Sequence, residues 1–228
     1  IDRAAMDAYA LQSHQRAAAA NAADRFTREI APIISPPTFQ SAVAADDGIR
    51  TEQTIEALQK LRPVFDKREG DVTGGNSCQV TDGASALLVT SLAKADQLGL
   101  EPLAILRSTA TAALSPATMG LGPVHATPLA LNRAGITLAD VGVVELNEAF
   151  AAQVLGCAAA FADDRYCRDV VGLDSAVGEL DPAKVNINGG AIAIGHPIAA
   201  TGARLVLTLA HELRQQGARY GLATLCIG

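Results

Sequence analysis

The chain has 228 residues, 49% of them hydrophobic and only 18% charged, a composition that can bury a substantial core and excludes a disordered or fibrous protein. Lys and Arg number 18 against 24 Asp and Glu, so the net charge of -6 gives no general electrostatic reason to bind nucleic acid or an anionic membrane. No stretch reaches the apolar length of a membrane span, and the four scattered cysteines (Cys78, Cys157, Cys167 and Cys226) form neither a CxxC zinc pattern nor a disulfide framework, which points to a reducing cytoplasm.

With Ile at position 1 and no basic-then-apolar leader, the start reads as internal to a longer protein. Residues 3 to 29 are alanine-rich and free of Gly and Pro, with Asp2 available as N-cap, and predict a helix. Prolines 32, 36 and 37 in "APIISPPTFQ" then enforce extended backbone, as in a loop or edge segment. Ile55, Leu58 and Leu61 recur at helical spacing before Pro63. A polar loop, "TGGNSCQVTDG", feeds the apolar segment "ASALLVTSLAKADQLGL", which ends at Gly99 as helices often do.

From about residue 102 short β-prone runs alternate with helical ones. "LAILRST" precedes a helix over 123 to 134, "VGVVEL" a helix over 148 to 162, and "KVNIN" a helix over 198 to 217, after which "LATLCI" closes the chain. Residues 163 to 182 read as a surface excursion. The alternation predicts a layered α/β core in which helices cover a sheet.

Reactive residue types collect at three strand ends, where chemistry gathers in layered α/β folds. In "ELNEAFAAQ", Asn147 and Glu148 open the next helix, and local capping explains both as well as a substrate-orienting amide does. In "NINGGAIAIGHP", His196 stands at a helix N-terminus beside Pro197. There the positive end of the dipole disfavours imidazolium and leaves a neutral ring able to accept a proton, although a ring that merely caps the helix fits equally. In "LATLCIG", an apolar strand delivers Cys226, which by itself reads as an inert core thiol.

Taken in order, "NEAFAAQ", "NINGGAIAIGHPIAATGAR" and "GLATLCIG" resemble the C-terminal domain of thiolases, the 3-ketoacyl-CoA thiolases and acetyl-CoA acetyltransferases. "GNSCQVTDGASALL", "KLRPVF" and "MGLGP" look like preceding segments of the same family, so the resemblance spans essentially the whole chain. It implies the thiolase fold: a layered α/β core domain with a mixed sheet covered by helices, plus a mainly helical loop domain. Residues 1 to 80 would be the loop domain, 81 to 100 the last element of the N-terminal core domain, and 101 to 228 the C-terminal core domain.

Carried over motif by motif, the resemblance makes His196 the base that deprotonates a nucleophilic cysteine and, with a water held by Asn147, an oxyanion hole for the thioester oxygen. Cys226 becomes the second catalytic thiol, the backbone N–H of Gly228 belongs to a second oxyanion hole, and Glu148 supports the cluster. Coenzyme A is implied as a substrate over the first part of the chain, with Arg50 facing its nucleotide end, Phe65 near the pantetheine, and Ser77 and Cys78 along the adjoining loop. No metal and no tightly bound cofactor are implied. The implied partners are acyl-CoA, a homodimer or homotetramer, and other enzymes of fatty-acid β-oxidation.

The family's acyl-accepting cysteine lies in a C-x-S-G context, and none of the four cysteines does. The expectation is therefore a chain without the N-terminal nucleophile domain, inactive in thiolysis on its own. A non-catalytic acyl-CoA or lipid-binding relative is the alternative reading, opposed by the retained Asn147, His196 and Cys226. A ketoacyl synthase is disfavoured, because those enzymes do not pair NEAF with a C-terminal CxG motif.

Overall fold

A computed structural model describes residues 1 to 226; Ile227 and Gly228 lie outside the described residues, and with them the backbone N–H expected of Gly228. Helix α1 (Arg3–Ala22) starts where Asp2 accepts a hydrogen bond from the Ala5 N–H at 2.8 Å. Its buried stripe runs Met6, Ala10, Ser13, His14, Ala17 and Ala20, a spacing of three and four that keeps one face inward. The helix ends short of the expected residue 29. Asp24 turns into left-handed backbone at φ 55°, and Arg25–Arg28 form a single 3-10 turn.

The proline-rich segment holds a minimal antiparallel pair, β1 (Ile33–Ile34) against β2 (Ala42–Val43). Helices α2 (Ile55–Gln59) and α3 (Leu92–Gln97) follow, each capped by a hydroxyl, from Thr54 and Ser91. The helical reading of 84 to 98 is thus confined to its last turn and a half. Gly99 does take left-handed backbone at φ 64°, but Leu88 and Val89 before the helix are exposed and lie in no helix or strand. The strand expected at 103 to 109 is absent as well: Ile105 and Leu106 are exposed, and no strand pairs with them among the described residues.

The rest builds the core. Helix α4 (Gly122–Ala134) leads through a capping box at Thr137 and Asp140 into β3 (Val143–Leu146), whose four residues are all buried. Helix α5 (Ala151–Ala162) returns across the core. Residues 163 to 182 were expected to be a surface excursion, but α6 (Asp164–Tyr166) and the π-helical turn Cys167–Val171 fold Tyr166, Val171, Val177 and Leu180 back against the core and bury Cys167. Next come α7 (Ala191–Ile194) and the long α8 (Ile198–Gln216), and β4 (Gly221–Thr224) pairs parallel to β3 in the register Val143–Gly221 to Leu146–Thr224. Helix α8 packs on both strands, giving the helix-on-sheet layering read from the sequence.

"KVNIN" is not a full strand. Its backbone pairs with β3 only around Val144, which donates to Lys184 O and accepts from Asn186 N, both at 2.8 Å. Asn186 then turns to φ 45°, and its side-chain amide takes over the ladder, accepting from Leu146 N at 2.8 Å and donating to Leu146 O at 2.7 Å. The main apolar core joins Val124, Leu131, Val144, Leu146, Val154, Phe161 and Leu222, and a smaller one joins Met6, Ala10, Leu58, Ala151 and Ile192 under α1. No helix among the described residues is long and apolar enough to cross a membrane.

Candidate active site

Asn147 and Glu148 do not open a helix. Helix α5 begins only at Ala151, because tertiary hydrogen bonds hold the preceding turn: Asn147 N donates to Thr224 O at 3.0 Å, Cys78 N donates to Ala149 O at 3.0 Å, and Ala151 N donates to Asn76 O at 2.9 Å. The local capping explanation of these two residues therefore fails. Asn147 is fully buried at the end of β3, and its Nδ2 lies 3.3 Å from His196 Nε2.

His196 sits between α7 and α8, one residue earlier than a helix cap, which is Pro197. Its backbone N–H donates to Thr81 Oγ1 at 3.2 Å, and Gly195 before it needs left-handed backbone at φ 93°. Thr201 Oγ1, one turn into α8, lies 2.6 Å from Nδ1 and donates to Pro197 O at 3.2 Å. A hydroxyl that spends its one proton on the carbonyl can only accept from the ring, which assigns the imidazole proton to Nδ1 and leaves the Nε2 lone pair toward Asn147. Burial, aided by the nearby Arg204 charge, holds the His196 pKa below the ordinary imidazole value. The main cause of that lowering is burial, not the helix terminus.

Asn147 Oδ1 is buried and has no hydrogen-bond partner among the described residues. Such an acceptor costs free energy unless something polar meets it. Cys226 is buried two residues beyond Thr224, the residue to which Asn147 is bonded, and burial raises its thiol pKa. Cys78 is raised likewise, by burial first and with Cys226 and Glu148 contributing, which places these groups in one neighbourhood.

Glu148 is 1% exposed and its carboxylate is the hub beneath the turn. It accepts from Tyr9 Oη at 2.9 Å, Ser13 Oγ at 2.6 Å, Asn186 Nδ2 at 3.0 Å and Ile192 N at 3.2 Å, joining α1, α7 and the 147–150 turn. The glycines of "NINGGAIAIG" serve this packing. A Cβ on Gly190 would run into the Glu148 carboxylate, and one on Gly189, at φ 76°, would come within 2.5 Å of Ser13 O.

The residues expected along coenzyme A divide into two places. Arg50 lines a cleft of about 240 Å³ together with His14, Gln53, Gly75, Gln79 and Ile192, and its N–H donates to His14 Nδ1 at 3.2 Å. Burial and the Arg50 charge push the His14 pKa down to about 4. Phe65, Ser77 and Cys78 lie elsewhere, on the Ala149–Phe150 turn. The Phe65 ring meets Phe150 edge-on at 6.2 Å, while Ser77 pairs with Phe150 through its backbone and donates its hydroxyl proton to Thr73 O at 2.7 Å. Tyr9, Ser13, Thr81, Asn186 and Thr201 were not singled out in the sequence, and nothing in their local context marks them; only the fold brings them to the site. Among the described residues no group of three or more His, Cys, Asp or Glu side chains is arranged to hold a metal ion.

The sequence model of the thiolase C-terminal domain matches residues 100–228, and that of the thiolase N-terminal domain matches residues 1–93. The chain belongs to the thiolase family. A 3-ketoacyl-CoA thiolase of Yersinia enterocolitica is 48% identical over 227 residues, which cover 99% of this chain and 52% of the relative. An acetyl-CoA acetyltransferase of Chromobacterium violaceum is 48% identical over 230 residues, covering 100% of this chain and 54% of the relative. The crystal structure of human mitochondrial 3-ketoacyl-CoA thiolase in complex with CoA matches all of this chain and 52% of its own at a TM-score of 0.86 and 41% identity. This thiolase chain therefore has the thiolase fold and spans about half the length of the curated relatives it matches.

Proposed function

We propose that the protein containing this chain is a coenzyme A-dependent acyltransferase, cleaving 3-ketoacyl-CoA to acetyl-CoA and a shortened acyl-CoA, or running the reverse Claisen condensation. The observation that carries the reading is the part-buried contact between Asn147 and His196, whose pKa burial lowers and whose ring Thr201 orients. A base must be unprotonated at working pH and held in one orientation, and the lowered pKa and the Thr201 contact favour both at Nε2. The relatives and the CoA-bound human structure support the substrate class.

In this reading a cysteine thiol supplied outside these 228 residues gives its proton to His196 Nε2 and attacks the 3-keto carbonyl carbon. The carbon–carbon bond to the acetyl unit breaks, and the electron pair leaves as the enolate of acetyl-CoA. Nε2–H, now a donor, and a water donating to the unpartnered Asn147 Oδ1 hold the enolate oxygen. Cys226 protonates the enolate carbon, a role that suits a thiol kept protonated by burial. CoA thiol then gives its proton to the Cys226 thiolate and attacks the acyl-cysteine carbonyl; the tetrahedral oxyanion, assigned to the N–H of Gly228, collapses by breaking the carbon–sulfur bond to the nucleophilic cysteine, whose thiolate takes its proton back from His196. Glu148 holds the Asn147 turn in place.

We place the nucleotide end of coenzyme A against Arg50 in the cleft and its pantetheine along Phe65 and Cys78, with Ser77 contributing backbone because its hydroxyl is already bound. Residues 1 to 80, 81 to 100 and 101 to 228 keep their proposed roles as loop domain, last element of the N-terminal core and C-terminal core, in a homodimer or homotetramer in the cytoplasm. The test is CoA-dependent cleavage of acetoacetyl-CoA by the full-length protein. His196→Ala should lower kcat about 1,000-fold, since it removes a base and an oxyanion donor together. A variant retaining most of the parent rate would defeat this role for His196.

A further inference from the structure

Behind the Asn147–His196 contact lies a second one. Asn147 stands just past the end of β3, two residues after Glu145 and still bonded to β4 through Thr224 O, and Arg204 follows Thr201 by three residues on the same face of α8. Asn147 with Thr201-held His196 is thus one rung between strand and helix, and Glu145 with Arg204 is the next. Arg204 Nη1 meets Glu145 Oε2 at 2.9 Å, with side chains 19% and 1% exposed.

A glutamate in the middle of the otherwise apolar strand "VVEL" needs a reason, because a buried ion pair is weak evidence for stability and an apolar pair of similar volume often serves as well. Neither partner is saturated: Glu145 Oε1 and Arg204 Nη2 are both buried without a hydrogen-bond partner among the described residues. Burial pushes the Glu145 carboxyl up to about 7 against the pull of Arg204.

We propose that Glu145 and Arg204 are positioning residues for His196: the pair, one rung behind the Asn147–His196 contact, fixes the spacing of β3 and α8 on which that contact depends. The guanidinium on that rung also brings a positive charge toward the imidazole. This deepens the reading of His196 as a base and rests on it. The charges around the pair are consistent with that task. Arg204 feels Glu145 from β3, Glu29 from the end of the 3-10 turn and Asp46 from the loop after β2. Among the described residues the groups hydrogen-bonded to His196 are Thr81, Asn147 and Thr201, all neutral, while the Glu148 carboxylate is bonded toward α1 and α7. Arg204, one turn beyond Thr201 on α8, adds its positive charge to burial in lowering the imidazole pKa.

The sign follows directly. Arg204 lowers the affinity of His196 for a proton, so losing the charge raises the imidazole pKa and moves the acid limb of kcat/KM to higher pH. The experiment uses the full-length protein with isotope-labelled histidine, the His196 resonance being identified by its loss in His196→Gln. Arg204→Met should move the titration midpoint of His196 upward, and Arg204→Lys, which keeps the charge, should leave it near the parent value. Arg204→Met leaves Glu145 unpaired and risks misfolding, so the double variant Glu145→Gln with Arg204→Met provides a neutral pair of similar volume and should show the same upward shift. The acid limb of thiolysis should follow the midpoint in both. An unmoved His196 midpoint in the double variant, or an equal shift in Arg204→Lys, overturns the inference. The midpoint is read by resonance and not by turnover, so this result stands apart from the His196→Ala test of the base itself.

Discussion

At the scale of single residues, Glu148 shows how one buried acceptor can organise a site made of distant segments. Four donors from α1, α7 and the Asn186 turn converge on its carboxylate. A carboxylate is acceptor-only and has lone pairs for all four, whereas a glutamine amide would satisfy at most two and aim its own N–H groups at the rest. Glu148→Gln should therefore lower the stability of the chain by about 3 kcal/mol, the scale of buried donors left unsatisfied. Urea unfolding monitored by far-UV circular dichroism measures it, and a loss below about 1 kcal/mol would show that the donors find other partners. The same residue was legible in "NEAF" as something chemical, but its partners Tyr9 and Ser13 lie 139 and 135 positions away and no local pattern points to them.

At the scale of elements, α8 couples the site to the core. Its buried residues Thr201, Leu205, Thr208, Leu209 and Glu212 form one stripe against β3 and β4, so the helix that orients His196 through Thr201 is seated by apolar contacts one turn further on. Leu205 is 1% exposed, and Leu205→Ala should cost about 3 kcal/mol by the lost burial and the cavity left behind. The midpoint of thermal unfolding checks this; an unchanged midpoint would mean that α8 is seated mainly by its polar contacts. Elements with a long periodic pattern, such as α1, α4 and α8, were readable because periodicity is local information. The short ones were not. "KVNIN" contributes one bridge because the Asn186 amide replaces the next ladder pair, and α5 starts three residues late because the loop at Asn76–Cys78 claims its first backbone groups.

At the scale of the whole molecule, order is unevenly supported. Residues 143 to 146 and 221 to 224 are paired and buried under α8, while residues 82 to 90 and 101 to 115 have no helix or strand and expose Leu88, Val89, Ile105 and Leu106. Backbone amides without protected hydrogen bonds open at little cost. In the 228-residue chain the amides of 84 to 90 should exchange with solvent orders of magnitude faster than those of β3 and β4, as hydrogen-exchange mass spectrometry would read. Equal protection in the two regions would contradict this division.

The sequence by itself determined the α/β alternation, the long helices, the family resemblance and the three motifs in which Asn147, His196 and Cys226 stand, since each of these is written within a window of a few residues. Tertiary structure alone decided that Asn147 faces His196 rather than capping a helix, that Thr201 sets the tautomer, and that Glu145 and Arg204 sit behind them. Hydrogen-bond geometry between segments far apart in the chain depends on how the elements pack, and no local propensity encodes that distance.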